Sequence, residues 1–220
     1  MKLQKETKLH GRWYDDACGT AFALELVGER WSLLIIRELM LGPRRFSDLR
    51  ATLPGISAKV LTERLATLAD AGVLTRHKLP PPAASQVYEL TDWGYSAETV
   101  IQELGRWAAT SPLHDPTLPL SSVSFMISLR TMVDRERAGP WHATIGFRIG
   151  EDRFVVRLAA GDLPIVRGEP NDADCVFVAA EAPQLAAVFY GKQPADDVGV
   201  RIEGDEKVAE RFVDLFHLPR

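Results

Sequence analysis

The chain has 220 residues and a formal net charge of −4, with 46% apolar and 25% charged residues. These are ordinary proportions for a globular protein, so they exclude intrinsic disorder and low-complexity repeats and fit one large domain or two small ones. No apolar run reaches the ~18 uncharged residues of a membrane span. The first residues lack the apolar stretch of a secretory signal, so we expect a cytoplasmic protein.

The cysteines and histidines are isolated from one another. Two separate cysteines and five scattered histidines exclude a disulfide scaffold and a cysteine-rich zinc site. GxSxG, P-loop and dinucleotide-binding glycine motifs are absent from the sequence. The acids Asp162, Asp172 and Asp174 lie in predicted loops, where carboxylates are usually just solvated. We therefore expect neither an enzyme nor a bound metal or cofactor.

The charge is distributed unevenly along the chain. Residues 1–110 carry a net charge of +1 and residues 111–220 carry −5, while Arg30–Lys78 alone carries +5. A basic segment in an otherwise acidic protein favours an anionic partner for the first half, although chance variation of surface charge gives the same pattern.

The sequence pattern of the first half predicts helices followed by a hairpin. The apolar stretch Ala21–Leu41 predicts one long buried helix. A short helix over Phe46–Leu53 follows, with Ser47 as its N-cap, and Ser57 caps a third helix over Ala58–Ala71.

The third helix has two distinct faces. Leu61, Leu65 and Leu68 form one apolar stripe. The opposite face is slim and polar, as close approach to a DNA major groove requires, although an ordinary solvated face has the same composition. The residues of that face are Lys59, Thr62, Glu63 and Ala66, with Arg64 on its flank.

Two short strands follow this helix directly. Val73–His77 and Gln86–Leu90 have the β-branched and aromatic composition of strands, and a proline-rich loop joins them. Two strands after a helix-turn-helix form a wing, whose cations can hold phosphates or reach the minor groove. These cations are Arg76, His77 and Lys78. Thr91 then caps another helix, which runs to about Ala109.

The stretch 111–120, SPLHDPTLPL, separates two halves with different patterns. It holds three prolines, which lack an amide donor and fix φ, so it predicts an extended connector. We therefore expect two domains, residues 1–112 and residues 113–220.

Several motifs of the first half, taken in order, resemble the HxlR family of bacterial regulators, which are winged helix-turn-helix proteins related to the MarR type. The resemblance covers about Cys18–Trp107. The matching motifs are Gly28–Trp31, Gly42–Phe46, Gly55–Ser57, Lys59, Leu61–Leu65 and Tyr88–Thr91. The resemblance implies a homodimer that binds a pseudo-palindromic operator in double-stranded DNA.

The resemblance also implies which residues contact DNA and which helices form the dimer. The candidate DNA-binding residues are Arg44, Arg45, Ser57, Lys59, Thr62, Arg64, Arg76 and Lys78. Lys59 and Arg64 are the strongest of them, whereas Arg45 has a competing role in an ion pair between helices. Residues 18–26 and 95–107 would form the dimer contact. The wing departs from the family pattern in its apolar Pro80–Ala84, which puts its contact with DNA in doubt.

Several members of this family carry a cysteine at the position of Cys18. In some of these proteins the cysteine detects oxidants or electrophiles. A reactive thiol needs a lowered pKa and access to solvent. A helix N-terminus or Arg12 would lower the pKa of the thiol, and Asp15 and Asp16 would raise it. Cys18 is therefore a candidate redox sensor, with a small buried hydrophobic residue as the alternative.

The second half alternates strands and helices and predicts an α+β domain. Strands are expected where apolar residues run or alternate over six to nine positions, and helices where they recur at helical spacing. The predicted strands are 141–149, 153–160, 174–180 and 198–203. The predicted helices are 122–133, 182–190, which follows Glu181 and ends at Gly191, and a last helix capped by Asp205.

Short motifs of this half resemble the sterol carrier protein type of domain over most of residues 121–218. The motifs are Ala160–Asp162, Ala173–Asp174, Tyr190–Lys192 and Ile202–Asp205 leading into Val208–Phe216. The resemblance implies an apolar tunnel for a lipid or another hydrophobic small molecule, although a packed core needs the same residues. The candidate ligand-binding residues are Phe125, Met126, Leu129, Phe147, Val156, Phe177, Phe189 and Phe212.

The sequence therefore predicts a multidomain protein, an all-α-type winged helix-turn-helix followed by an α+β sterol-carrier-like domain. The expected function is a transcriptional regulator, in particular a repressor, whose second domain binds an apolar effector or widens the dimer contact. The alternative is a lipid-binding or carrier protein whose winged helix serves only for dimerisation.

Overall fold

The computed structural model describes residues 14–82 and 84–219. The chain divides into two compact units. The first contains the residues up to Leu39 together with Pro43–Tyr95, and the second contains Met40–Gly42 together with Ser96–Arg220. The predicted domain boundary after residue 112 stays a prediction; by spatial contacts, residues from Ser96 onward group with the second unit.

The first unit is a helix-turn-helix with a two-stranded wing. Its elements are α1 (Gly19–Val27), α2 (Ser32–Leu39), α3 (Phe46–Thr52), α4 (Ala58–Asp70), β1 (Leu74–Lys78), β2 (Gln86–Leu90) and α5 (Asp92–Ser96). β1 and β2 are antiparallel, and the predicted strands are thereby confirmed to within one residue.

The prediction of one long buried helix over Ala21–Leu41 is wrong. The helix is interrupted between α1 and α2. There the Gly28 amide donates to the Leu24 carbonyl at 2.8 Å, and Trp31 adopts a positive φ of 82°. A positive φ strains the backbone of a residue that has a side chain, and it is incompatible with a right-handed helix, so the helix ends here. Within the described residues, α1 also contains no buried side chain, and Phe22 is exposed.

The caps of α3 and α4 differ in how well the sequence predicts them. Ser47 is not the N-cap of α3, because the helix begins one residue earlier and the Asp48 carboxylate accepts the Arg45 amide at 3.3 Å. Ser57 is confirmed as the N-cap of α4, since its hydroxyl accepts the Val60 amide at 3.2 Å. The leucine stripe of α4 is fully buried, as predicted.

The helix predicted from Thr91 to Ala109 is interrupted at Ala97. The cap is confirmed, because the Thr91 hydroxyl accepts the Gly94 amide at 3.1 Å. The helical residues belong to α5 and to α6 (Glu98–Ala109), and α6 is part of the second unit. Residues 111–120, all of them described, form turns and irregular chain, as their prolines predict.

The second unit is an α+β fold with one five-stranded sheet. Its elements after α6 are α7 (Ser122–Met132), α8 (Arg135–Ala138), β3 (His142–Ile149), β4 (Asp152–Ala159), β5 (Ile165–Arg167), β6 (Cys175–Ala179), α9 (Ala182–Phe189), β7 (Arg201–Gly204) and α10 (Glu206–Val213). The strand order is β5-β4-β3-β6-β7, with β3 and β6 parallel and the other pairs antiparallel.

Most elements of this unit are confirmed near their predicted positions. The sequence missed α8 and β5, because four and three residues are too short to show a period. Val198 is not in a strand: Asp196–Val198 is a short 3-10 helix, and β7 begins at Arg201. Asp205 is confirmed as the cap of α10, where its carboxylate accepts the amides of residues 207 and 208.

One face of the sheet packs on the helices and forms the core. Phe147 of β3 and Phe177 of β6 are register partners, fully buried, with stacked rings 5.3 Å apart. Phe189 of α9 and Phe212 of α10 close over them. Among the described residues, none of the helices is long and apolar enough to cross a bilayer.

Candidate nucleic-acid interface

The outward face of α4 carries one long cation. Because the leucine stripe faces the core of the first unit, Lys59 points away from it and its side chain is 86% exposed. Its ammonium nitrogen lies 3.9 Å from a carboxylate oxygen of Glu63, one turn further along the helix. This is a loose surface pair, so Lys59 can turn to a phosphate or a base edge at little cost.

The two hydroxyls predicted for DNA contact are engaged by their own helix. The Ser57 hydroxyl accepts an amide as the N-cap and keeps its proton available for donation. The Thr62 hydroxyl donates to the Ala58 carbonyl at 2.9 Å, so in this rotamer it has no proton for a phosphate. Both residues are exposed, but they offer less than the sequence predicts.

Arg64 differs from the other candidates because its guanidinium is ion-paired. Its Nη2 lies 2.8 Å from Oε2 of Glu29, and its Nε donates to the Arg30 carbonyl at 3.3 Å. The Arg64 side chain is only 21% exposed. No local sequence pattern indicates Glu29 as its partner, since the two residues are 35 positions apart.

The structure brings two predicted arginines into one row across the wing. The backbone of Arg44 exchanges two hydrogen bonds with Tyr88, which is also the register partner of Arg76 on β1. Residues opposite one another in a sheet point to the same face, so the side chains of Arg44 and Arg76 lie on the same face as Tyr88, with the two arginine Cα atoms about 10 Å apart. The Arg76 guanidinium lies 5.8 Å from that ring's centroid.

The remaining candidate cations lie on the surface of the first unit. Lys78 ends β1 and is exposed, and His77 next to it lies 3.4 Å from the Glu89 carboxylate. Arg45 is exposed at the start of α3, and the ion pair considered for it is absent from the described part of the chain. Arg45 is thus sterically accessible to an anionic partner.

Cys18 is the N-cap residue of α1 and is exposed, so the alternative of a buried cysteine is wrong. Hydrogen bonding to the Thr20 and Ala21 backbone at the start of α1 lowers the pKa of its thiol. Arg12, the other group considered for this effect, lies outside the described residues. By contrast, Cys175 is buried, and desolvation together with nearby carboxylates raises its pKa to about 12.

The helix α6 presents an apolar stripe to solvent. Val100, Leu104 and Trp107 recur at helical spacing, and Trp107 is 75% exposed. The opposite side of α6 packs on α7, where Glu98 pairs with Arg130 at 2.5 Å. Arg106 also donates to the Thr131 carbonyl at 2.6 Å. These contacts hold α6 on the second unit with its apolar stripe facing outward.

All eight candidate ligand-binding residues are fully buried in the second unit. The rings of Phe125, Phe147, Phe177, Phe189 and Phe212 form one continuous cluster. The sequence missed a polar pair at its margin, where the hydroxyls of Ser128 and Tyr190 lie 2.7 Å apart. Burial raises the pKa of Tyr190, so this hydroxyl stays protonated.

Within residues 14–82 and 84–219 there is no metal-binding group of His, Cys, Asp or Glu side chains.

Comparison with known proteins identifies a helix-turn-helix family and several transcriptional regulators that are similar to this chain. The HxlR-like helix-turn-helix family matches residues 26–114. The transcriptional regulator YodB of Bacillus subtilis is 42% identical over 86 residues, which cover 39% of this chain and 77% of YodB. The regulator YvaP of the same organism is 37% identical over 86 residues, or 39% of this chain and 80% of YvaP.

Among solved structures, the reduced form of YodB from B. subtilis is similar to this chain at 37% sequence identity. It covers 46% of this chain and 100% of its own, with a TM-score of 0.40.

Proposed function

Because the chain belongs to the HxlR-like helix-turn-helix family, we propose that its first unit binds operator DNA as a homodimer and regulates transcription. The observation that carries this proposal is the orientation of α4. Its leucine stripe is buried, so the face with Lys59 is left open, directly before the wing that carries Arg76 and that Arg44 joins through its bridge to Tyr88. A helix with this exposure is suited to the major groove, and the wing cations are suited to phosphates.

The proposed DNA contacts have different weights. Lys59 and the wing arginines supply charge, with Arg45 and Lys78 beside them on the surface of the first unit. Ser57 has one proton to donate. Thr62 must first change rotamer before its hydroxyl can donate to DNA, whereas the Arg64 guanidinium is already paired with Glu29.

The proposed homodimer uses two apolar surfaces, each on one unit. One is the exposed side of α1 with Phe22 and Leu24, and the other is the α6 stripe. Exposed apolar residues at helical spacing are typical of a helix that packs on another copy. A two-fold dimer fits a pseudo-palindromic site with half-sites about 34 Å apart.

The experiment that tests DNA binding is fluorescence anisotropy with DNA from upstream of the protein's own gene, at ~50 and ~200 mM salt. We expect tight binding that weakens at least about tenfold at the higher salt, because phosphate contacts release counterions. A reporter gene behind the same DNA distinguishes repression, which we propose, from activation. Absence of salt-sensitive binding for the wild type would contradict the proposal.

For the second unit we propose an apolar small-molecule effector, held where the phenylalanine cluster now packs. The eight buried candidates are contiguous, and Ser128 with Tyr190 offers a polar anchor at their margin. Solvent extraction and mass spectrometry of the purified protein test for a bound lipid, and titration of that lipid should change DNA affinity. Bound lipid together with no DNA binding would favour a carrier protein instead.

We also propose that Cys18 responds to oxidants or electrophiles. Its thiol combines exposure with a lowered pKa, which are the two requirements for reactivity. The test is DNA affinity before and after treatment with a thiol oxidant, with Cys18→Ser as the control. Equal loss of affinity in both proteins would contradict a role for Cys18.

A further inference from the structure

The ion pair between Arg64 and Glu29 joins the middle of α4 to the junction between α1 and α2. Two different atoms of the guanidinium are used: Nη2 bonds the Glu29 carboxylate at 2.8 Å, and Nε bonds the Arg30 carbonyl at 3.3 Å. A planar guanidinium held at two points fixes both distance and orientation. The contact therefore sets where α4 lies relative to this junction.

The junction is itself firmly placed. The Glu29 carbonyl accepts the Ser32 amide, and the Trp31 carbonyl accepts the Ile35 amide, so both belong to the first turn of α2. Trp31 holds a positive φ, and the Arg30 guanidinium lies 5.2 Å from its ring centroid. A junction with this many local constraints is a rigid support for the Arg64 side chain.

We propose that Arg64 is a positioning residue of the recognition helix and not a DNA contact. Its charge is already neutralised by Glu29 and two of its donors are used, so a phosphate would have to displace a charge-assisted pair. Arg64 instead fixes the angle at which α4 presents Lys59. This inference rests on the proposed DNA binding for its main measurement.

The test compares four variants of the full chain by anisotropy with DNA from upstream of the protein's own gene. Glu29→Gln and Arg64→Gln should each lower affinity about 3- to 20-fold without changing the salt dependence, because no phosphate contact is lost. The charge swap Glu29→Arg with Arg64→Glu should restore affinity to within about threefold of the wild type, since it rebuilds the pair. Glu210→Gln on α10, an exposed position of the second unit outside the proposed DNA-binding and dimer surfaces, is the control for removing one negative charge and should leave affinity unchanged.

A phosphate contact by Arg64 gives the opposite pattern. Arg64→Gln would then reduce the salt slope by about 0.9, and Glu29→Gln would strengthen binding by releasing the arginine. The swap would bind worse than Arg64→Gln alone, because it places a carboxylate beside the DNA. Any of these three results overturns the proposal.

Hydrogen exchange tests the same contact without DNA. In both Gln variants the amides of Ser32 and Ile35 should exchange several-fold faster than in the wild type, and the swap should restore their protection. Unchanged exchange in both single variants overturns the proposal even if DNA binding is absent. If the wild type did not bind DNA but amide exchange changed in the variants, the proposed function would be refuted. The positioning contact between Arg64 and Glu29 would still be supported.

Discussion

Lys59 Nζ lies 3.9 Å from Glu63 Oε1, one turn apart on the outward face of α4, and both side chains are largely exposed. Such a pair contributes little to stability, so each partner can be changed without affecting the fold. Substitutions at Lys59 and Glu63 therefore test the proposed role of α4 in DNA binding without disturbing its role in the fold.

We expect Lys59→Ala to weaken DNA binding and to reduce the salt slope by about 0.9, because one phosphate or base contact is lost. Glu63→Gln should strengthen binding, since it removes a negative charge from the same face and frees Lys59. Anisotropy at several salt concentrations measures both effects. If Glu63→Gln weakened binding as much as Lys59→Ala, this face of α4 would not approach the DNA.

Leu65→Ala should have the complementary effect. Leu65 is buried in the middle of the leucine stripe, so its truncation should cost about 2–5 kcal/mol of unfolding free energy through lost contacts and a cavity. Urea unfolding measures the loss, and Lys59→Ala is the control that should unfold like the wild type. Equal destabilisation by the two variants would mean that the stripe does not face the core.

The sequence predicts α4 well because its leucines, its serine cap and its final glycine all agree. It fails at α1 and α2, where apolar residues on both sides of Gly28–Trp31 hide the break. It also cannot show that Phe22 is exposed, because an apolar helix reads as buried whether the chain covers it or a partner does. The role of Arg64 depends on a partner distant in sequence, which no local pattern contains.

Cys18 should react with iodoacetamide at lower pH than an ordinary cysteine. Its pKa is lowered by backbone hydrogen bonds, so the reactive thiolate persists as the pH falls and the rate profile shifts to lower pH. Mass spectrometry follows the alkylation, and Cys175 is the internal control. Burial and a pKa raised to about 12 should keep Cys175 unmodified in the folded protein near pH 8. A Cys18 rate profile like that of a free thiol would remove the basis for redox sensing.

Trp107→Ala and Leu104→Ala should each weaken self-association at least about tenfold. Each substitution removes two side chains from a two-fold interface, and a large side chain at such an interface contributes about 1 kcal/mol or more. Sedimentation velocity over a range of protein concentrations measures the dimer dissociation constant. Val166→Ala is the control: Val166 is also exposed but lies on the edge strand β5, away from the α6 stripe. An effect of Val166→Ala equal to that of Trp107→Ala would place the dimer contact on the sheet edge instead.

Glu98→Gln should destabilise the second unit by about 1–3 kcal/mol. The pair of Glu98 with Arg130 is mostly shielded from water, and Arg130 also donates to the Ile165 carbonyl, so the variant leaves a poorly solvated cation that can no longer pair. Glu103→Gln is the matched control, because its partner Arg106 retains the Thr131 carbonyl and the pair is more exposed. Urea unfolding should distinguish the two variants, and the Glu98→Gln effect should persist in high salt, since shielded pairs are weakly screened. The contrary result is an equal loss of unfolding free energy in both variants that high salt abolishes. It would mean that surface charge alone holds α6 on α7 and that the Glu98–Arg130 pair does not fix the position of the apolar stripe.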